Sequence, residues 1–164
     1  MKELIIGLGS NLGDRRANLL EAIDLVGKNI GVVTAISSFV ETDPWGFESE
    51  NKFLNTAIIV LVDNTSANQG LLEGSGIIRI LQKIESGFGR VKTGIYTDRP
   101  IDLDILFYGD DVILETGLIV PHPKLHDRDF VLIPLMEICP DKVHPITGKS
   151  IRRIYEEFCQ QTGT

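Results

Sequence analysis

Two aspartates separated by one leucine, in Arg99-Pro100-Ile101-Asp102-Leu103-Asp104-Ile105-Leu106, are the residues best placed to do chemistry. Alternation along an extended segment puts Ile101, Leu103 and Ile105 on one face and both carboxylates on the other. Two residues advance about 6.6 Å along a strand. At about 6 Å and an effective dielectric near 20, two negative charges repel by roughly 2.8 kcal/mol. A divalent cation relieves that repulsion. Magnesium suits hard carboxylate oxygens and completes its shell with phosphates. The same spacing also fits two aspartates facing water at a sheet edge, so D-x-D alone is a weak signal.

The surrounding cations favour a site. Arg79, Lys83, Arg90, Lys92 and Arg99 lie upstream, and His122, Lys124, His126 and Arg128 lie downstream. The chain carries 16 Lys and Arg against 23 Asp and Glu, a net charge of −7. Cations gathered on both sides of an acidic pair in such a chain point to a metal-bound polyphosphate. Arg79 and Lys83 read as a solvated helix face. Arg90 and Lys92 follow Gly87-Phe88-Gly89 and read as phosphate contacts on a loop.

Other signatures fail. Gly7-Leu8-Gly9-Ser10-Asn11-Leu12-Gly13 places its last glycine one residue late for a dinucleotide fingerprint, and Gly148-Lys149-Ser150 has Val143 where a P-loop needs glycine. His122 and His126 are four apart, but Pro121 and Pro123 oppose a helix there, which argues against zinc. Cys139 and Cys159 form no C-x-x-C pair and read as reduced thiols of a cytoplasmic protein.

The elements must then hold the pair in place. A length of 164 residues with 43% hydrophobic and 24% charged side chains suits a single globular domain, residues 1–164. The acidic balance opposes general binding to a nucleic-acid backbone. Apolar runs such as Ala57 to Val62 are far short of a membrane span, and Met1-Lys2-Glu3-Leu4-Ile5-Ile6 is too brief for a signal peptide. Strands are expected at Lys2 to Leu8, Val32 to Val40, Leu54 to Val62 and Ile101 to Tyr108. Helical spacing runs through Leu19, Leu20, Ile23, Val26 and Ile30, and again through Leu71, Gly74, Ile77, Ile78, Leu81 and Ile84. The order β-α-β-β-α-β is that of the α+β, ferredoxin-like fold. A hairpin around Glu115-Thr116-Gly117, a short helix from Phe130 to Ile138 interrupted at Pro134, and a last helix from Ile151 to Cys159 form a C-terminal extension.

Taken in order, Gly9-Ser10-Asn11, Thr42-x-Pro44-x-Gly46, Phe53-Leu54-Asn55, Glu85-x-x-x-Gly89-Arg90, Arg99-x-x-Asp102-Leu103-Asp104 and Pro121-His122-x-x-x-x-x-Arg128-x-Phe130 resemble the 6-hydroxymethyl-7,8-dihydropterin pyrophosphokinase family. The likeness runs from about residue 4 to residue 158, and the family fold is also ferredoxin-like. It implies transfer of the β,γ-pyrophosphoryl group of ATP to the pterin hydroxymethyl oxygen, with release of AMP, in folate biosynthesis. It implies two magnesium ions on Asp102 and Asp104, with Asp102 also a candidate base. Arg90 and Arg99 become catalytic arginines. Gln82, Glu85, Lys92, Tyr96, Ile105, His122 and Arg128 fall at ATP-side positions. Thr42, Pro44, Trp45, Phe53, Asn55 and Phe130 fall at pterin positions, with the two phenylalanines stacking on the ring and Asn55 reading its polar edge. The partners implied are ATP and the dihydropterin, met by a monomer.

Three features depart from the family pattern, the first being a segment between Arg90 and Arg99 that is a residue shorter than in some members. Tyr96 stands where tryptophan is often found, and Asp98 precedes Arg99 where a small residue or proline is usual. Asp98 thus adds a negative charge beside a phosphate site. Gly87, Gly89 and Gly94 still allow a loop that closes over substrates. A non-catalytic ferredoxin-like nucleotide-binding module and a metal-dependent phosphodiesterase are the other function classes such residues could serve.

Overall fold

A computed structural model describes residues 1–63, 73–91 and 93–164. Three strands build the centre of one antiparallel sheet: β1 (Lys2–Ser10), β4 (Phe53–Val62) and β5 (Asp102–Tyr108). β1 lies between the other two. The second strand pair, β2 (Val32–Ile36) and β3 (Val40–Thr42), lines the far edge of β4. The order β2-β4-β1-β5 is the ferredoxin-like one expected from the element sequence.

The expected single strand from Val32 to Val40 is therefore two. Ser37 explains the break. Its hydroxyl accepts the Ala57 N–H at 2.9 Å, a donor the ladder would otherwise give to a main-chain carbonyl. Glu137 then takes the Ser38 N–H and hydroxyl at 2.9–3.0 Å, turning the chain toward the C-terminal helices.

Helices α1 (Arg15–Asn29) and α2 (Gly74–Gly87) cover one face of the sheet. Asp14 caps α1 by accepting the Ala17 N–H at 3.0 Å. Leu19, Ile23, Val26, Ile77, Leu81 and Ile84 are buried against Leu4, Ile6, Leu8, Leu103 and Ile105. Leu71, expected on the α2 face, lies outside the described residues. The hairpin β6 (Ile113–Glu115) and β7 (Leu118–Val120) forms as expected and adds Leu118 and Val120 to this core.

The opposite face is covered only in part, by α3 (Asp129–Ile138) and α4 (Ile151–Thr162). α3 runs through Pro134 instead of breaking there. Proline removes one rung of the helix ladder, while Val131, Leu132 and Leu135 stay buried on either side of it. α4 extends three residues past the expected end, because Gly163 takes the left-handed cap at φ 73° and returns its N–H to Cys159 O at 2.9 Å.

Candidate active site

Strand register builds the site floor. β1 pairs with β5 so that Gly7 opposes Asp104 and Gly9 opposes Asp102. β1 pairs with β4 so that Gly7 opposes Ala57 and Gly9 opposes Asn55. Opposed residues share a face, so two rows cross the sheet: Asp104–Gly7–Ala57 and Asp102–Gly9–Asn55. Two strand spacings put Asn55 about 10 Å from Asp102, with only glycine between. A Cβ on Gly9 would stand 2.9 Å from Asn55 Oδ1 and 3.4 Å from a Phe53 ring carbon. These residues lie on the stretch of sheet that α3 and α4 leave open, and all of them line one cleft.

At the acidic end, Asp102 carries both arginine bridges. Arg99 Nη2 donates to Asp102 Oδ2 at 2.9 Å, and Arg90 Nη1 donates to Oδ1. Burial alone would raise the Asp102 pKa, but the charges of Arg99 and Arg90 outweigh it and hold the carboxyl below its usual range. Asp104 has the opposite fate. Burial, then the Asp102 charge, pushes its pKa up to about 7. Held ionised in this way, Asp102 suits a metal ligand better than a proton acceptor.

Glu85 sits beneath this pair at 2% exposure. One of its oxygens accepts both the Arg90 guanidinium and the Leu103 N–H, the latter at 2.9 Å. It is thus a buried strut between α2 and β5, acting through Arg90. Gln82 is exposed on α2 and does not line the cleft. Ile105 packs into the α1/α2 core, so only its backbone is left for a nucleotide. Lys92 lies outside the described residues.

Two arginines and a histidine face the cleft beyond the carboxylates. Arg128 is 6% exposed, with its guanidinium 4.4 Å from the Trp45 ring and 5.5 Å from Phe130. The Nε atoms of Arg99 and Arg128 are buried without a hydrogen-bond partner among the described residues. Orphaned cationic donors in a cleft call for an anionic ligand. His122 is placed by its own N–H, which donates to Leu106 O at 3.1 Å. Burial, then the Arg128 charge, lowers its pKa to about 4. Its Nδ1 accepts the Lys124 N–H at 3.2 Å. The neutral ring therefore keeps its proton on Nε2, as a donor to a phosphate oxygen needs.

At the aromatic end, Phe53, Phe130, Trp45, Tyr96 and Thr42 line the same cleft. Thr42 Oγ1 accepts from Asn55 Nδ2 at 2.7 Å, which fixes the amide and turns its oxygen to the Gly9 side. Trp45 and Tyr96 meet edge to face with centroids 6.0 Å apart, joining the two loops over the cleft. Arg99 stacks over Phe53 at 4.9 Å. Pro44 is half-buried in its loop and does not line the cleft.

Sequence reasoning missed Gly7, Phe47 and the network behind Arg99. Phe47 meets Phe53 edge to face at 6.2 Å and lies 6.0 Å below the Arg99 guanidinium. Gly7 belongs to no motif, and its place opposite Asp104 comes from a strand register that no local signal reveals. Asp98 keeps its negative charge and has partners that the sequence does not show. Its carboxylate is taken up by the amides of Asn11 and Asn51, at 2.7 Å each, and is not a loose charge beside the phosphates.

The donor set fits magnesium. No group of three or more His, Cys, Asp or Glu that could cage an ion occurs among the described residues. Magnesium asks for less: one or two carboxylates, with water and phosphate completing the shell. Asp102 and Asp104 offer that pair, side by side on the cleft floor.

The chain is 38% identical to the 2-amino-4-hydroxy-6-hydroxymethyldihydropteridine pyrophosphokinase of Porphyromonas gingivalis, covering 88% of this chain and 95% of that one. It is 38% identical to the Aquifex aeolicus enzyme of the same name, covering 96% and 92%. The Bacillus subtilis enzyme of that name is 42% identical, covering 82% and 76%. Among solved structures, wild-type HPPK-DHPS of Plasmodium falciparum superposes with a TM-score of 0.76 at 16% identity, over 98% of this chain and 45% of that one. That likeness concerns the fold, and this chain spans less than half of the fused protein. Residues 5–140 match the family described as 7,8-dihydro-6-hydroxymethylpterin-pyrophosphokinase, and this chain belongs to that family.

Proposed function

We propose that this cleft holds magnesium–ATP at its Asp102/Asp104 end and 6-hydroxymethyl-7,8-dihydropterin at its Phe53/Asn55/Phe130 end. The hydroxymethyl oxygen attacks the β-phosphorus. The bond from that phosphorus to the α,β-bridging oxygen breaks, AMP leaves with that oxygen, and the hydroxyl proton passes to water. The observation that carries this reading is the row Asp102–Gly9–Asn55, which sets a cation site and an amide reader on one open floor.

The residues have separate tasks. Asn55 and Thr42 orient the ring edge, and Phe53 and Phe130 hold its faces. Arg90, Arg99 and Arg128 supply charge to the phosphates, and His122 donates from Nε2. Bound magnesium, two ions on this reading, neutralises the triphosphate. Phosphoryl-type transfer is mainly positioning plus charge stabilisation, which such a set provides. A monomer folded as one domain, residues 1–164, is part of this reading. Free Cys139 and Cys159 suit a reducing, cytoplasmic setting.

Incubation with ATP, magnesium and the hydroxymethyl pterin should yield one AMP per pterin diphosphate. ADP as product would make the protein an ordinary kinase. Nucleotide cleavage without pterin would favour a phosphodiesterase, and binding without AMP a non-catalytic module.

A pH dependence follows from Asp104. A proton and magnesium compete for its carboxylate, whose pKa is about 7. Magnesium affinity in the presence of a non-hydrolysable ATP mimic should rise about tenfold per pH unit below 7 and level off above it. Calorimetric titration from pH 5.5 to 8.5 checks this, and a flat profile removes Asp104 from the ligand set.

A further inference from the structure

Arg99 is held from behind as well as in front. Its main-chain N–H donates to Asn11 Oδ1 at 2.7 Å, and its carbonyl accepts the Asn11 N–H at 3.1 Å. Asn11 is 3% exposed, at the end of β1 beside the site floor. An amide can turn either way, so something must choose which end meets Arg99. The Arg99 N–H, which only donates, and two acceptors, the Asn51 carbonyl and Asp98, make that choice together, and Asp98 gives the shorter contact to the NH2. A carboxylate only accepts, so the Asn11 group facing Asp98 Oδ1 at 2.7 Å has to be the NH2. The Asn11 oxygen is then left for Arg99. Asp98 Oδ2 accepts Asn51 Nδ2 at 2.7 Å, and Asn11 Nδ2 also reaches Asn51 O at 3.2 Å. Asn51 lies two residues before Phe53, against which Arg99 stacks.

We propose that Asp98 is a positioning residue, tying the end of β1, the segment before Phe53 and the Arg99 segment into one unit that aims the Arg99 guanidinium. The aim is visible in front: Arg99 Nη2 meets Asp102 Oδ2 at 2.9 Å while its plane lies over Phe53. Alanine or proline at 98 would supply no acceptor, and the Asn11 NH2 would keep only the longer contact to the Asn51 carbonyl at 3.2 Å. The hydroxyl of Ser49, then Asn51, Asn11 and the Arg99 charge, lower the Asp98 pKa, so the group is an anion at neutral pH. The inference rests on the pyrophosphokinase reading for its kinetic consequence and on geometry alone for its structural one.

Asp98→Ala should lower kcat about tenfold and leave KM for magnesium–ATP within about twofold, because the fault is in aiming a charge at the transition state. In an Arg99→Ala background the same change should cost nothing further, since the residue acts through Arg99. Hydrogen exchange at the Arg99 amide should quicken about tenfold in Asp98→Ala. Asp98→Asn, which keeps one of the two acceptors, should fall between and serves where the alanine variant does not fold. An unchanged kcat, or an equal loss with and without Arg99, overturns the proposal. Should the wild-type protein make no AMP, the functional reading fails, while unchanged Arg99 amide exchange in either variant would still overturn the positioning role.

Discussion

Asp104→Asn is expected to stabilise the metal-free protein while removing its activity. The carboxyl has a pKa of about 7 in the folded chain, against a reference of 3.8. Between those values the folded state binds more protons than the unfolded one, so stability falls as pH rises across that window. Above pH 7 the full cost of holding the charge is present. At pH 4 it is gone. Asparagine has the same shape and no charge, so it removes the cost. At pH 8, without metal, we expect Tm to rise by about 3 °C, the equivalent of roughly 1 kcal/mol in a chain of this size. Near pH 4 the two proteins should melt together. Turnover should fall by about 10³-fold or more, since a metal site supplies several kcal/mol of charge stabilisation and each 1.36 kcal/mol is tenfold.

Asp102→Asn should behave differently in the melting experiment. Its carboxylate is bridged by Arg90 and Arg99, so neutralising it leaves two guanidinium groups facing each other. Tm at pH 8 should fall, though activity is lost as with Asp104. Equal shifts of one sign for both variants would mean the arginines do not distinguish the two carboxylates. A measurable rate in either variant within about tenfold of wild type would take that residue out of the metal site.

The asymmetry between these neighbours marks the limit of what their spacing reveals. Alternation within β5 is local, and it correctly puts Asp102 and Asp104 together and Ile105 on the other face. The resemblance sets Ile105 near ATP, whereas its side chain lies in the core. Which carboxylate the arginines choose depends on where α2 ends and how the Arg99 segment turns, and neither is periodic. Register is equally hidden. Nothing within Gly7-Leu8-Gly9 says that Asn55 will lie across from Gly9, because pairing is decided by strands forty residues apart. Ser37 looks like any polar residue in a β-branched run until its hydroxyl is seen replacing a ladder carbonyl. Charge counting reads Asp98 as a liability, since it cannot count the two carboxamides that face it. The fold itself was far more legible, because apolar spacing and the order of elements leave few alternatives to a β5-β1-β4-β2 sheet.

Glu85→Ala should be the most destabilising single change near the site. Glu85 is 2% exposed and serves two donors at once: the Leu103 N–H of β5 at 2.9 Å and the Arg90 guanidinium. Alanine leaves a buried N–H without that acceptor, and the Arg90 side chain, 15% exposed, without one of its two carboxylates. Removing one partner of a buried pair costs about 3–5 kcal/mol, which corresponds to a fall in Tm of about 10 °C. Glu85→Gln separates the two tasks. Its carbonyl oxygen can still accept the Leu103 N–H, but it cannot balance the Arg90 charge, so about half the loss should remain. Both variants throw Arg90 wholly onto Asp102, which magnesium must then compete for. Magnesium affinity should therefore weaken in Glu85→Gln even at a temperature where the protein is fully folded. Thermal melting and calorimetric titration of the same samples test the two effects. A Glu85→Ala variant that melts within about 2 °C of wild type would show that the strut between α2 and β5 bears no load.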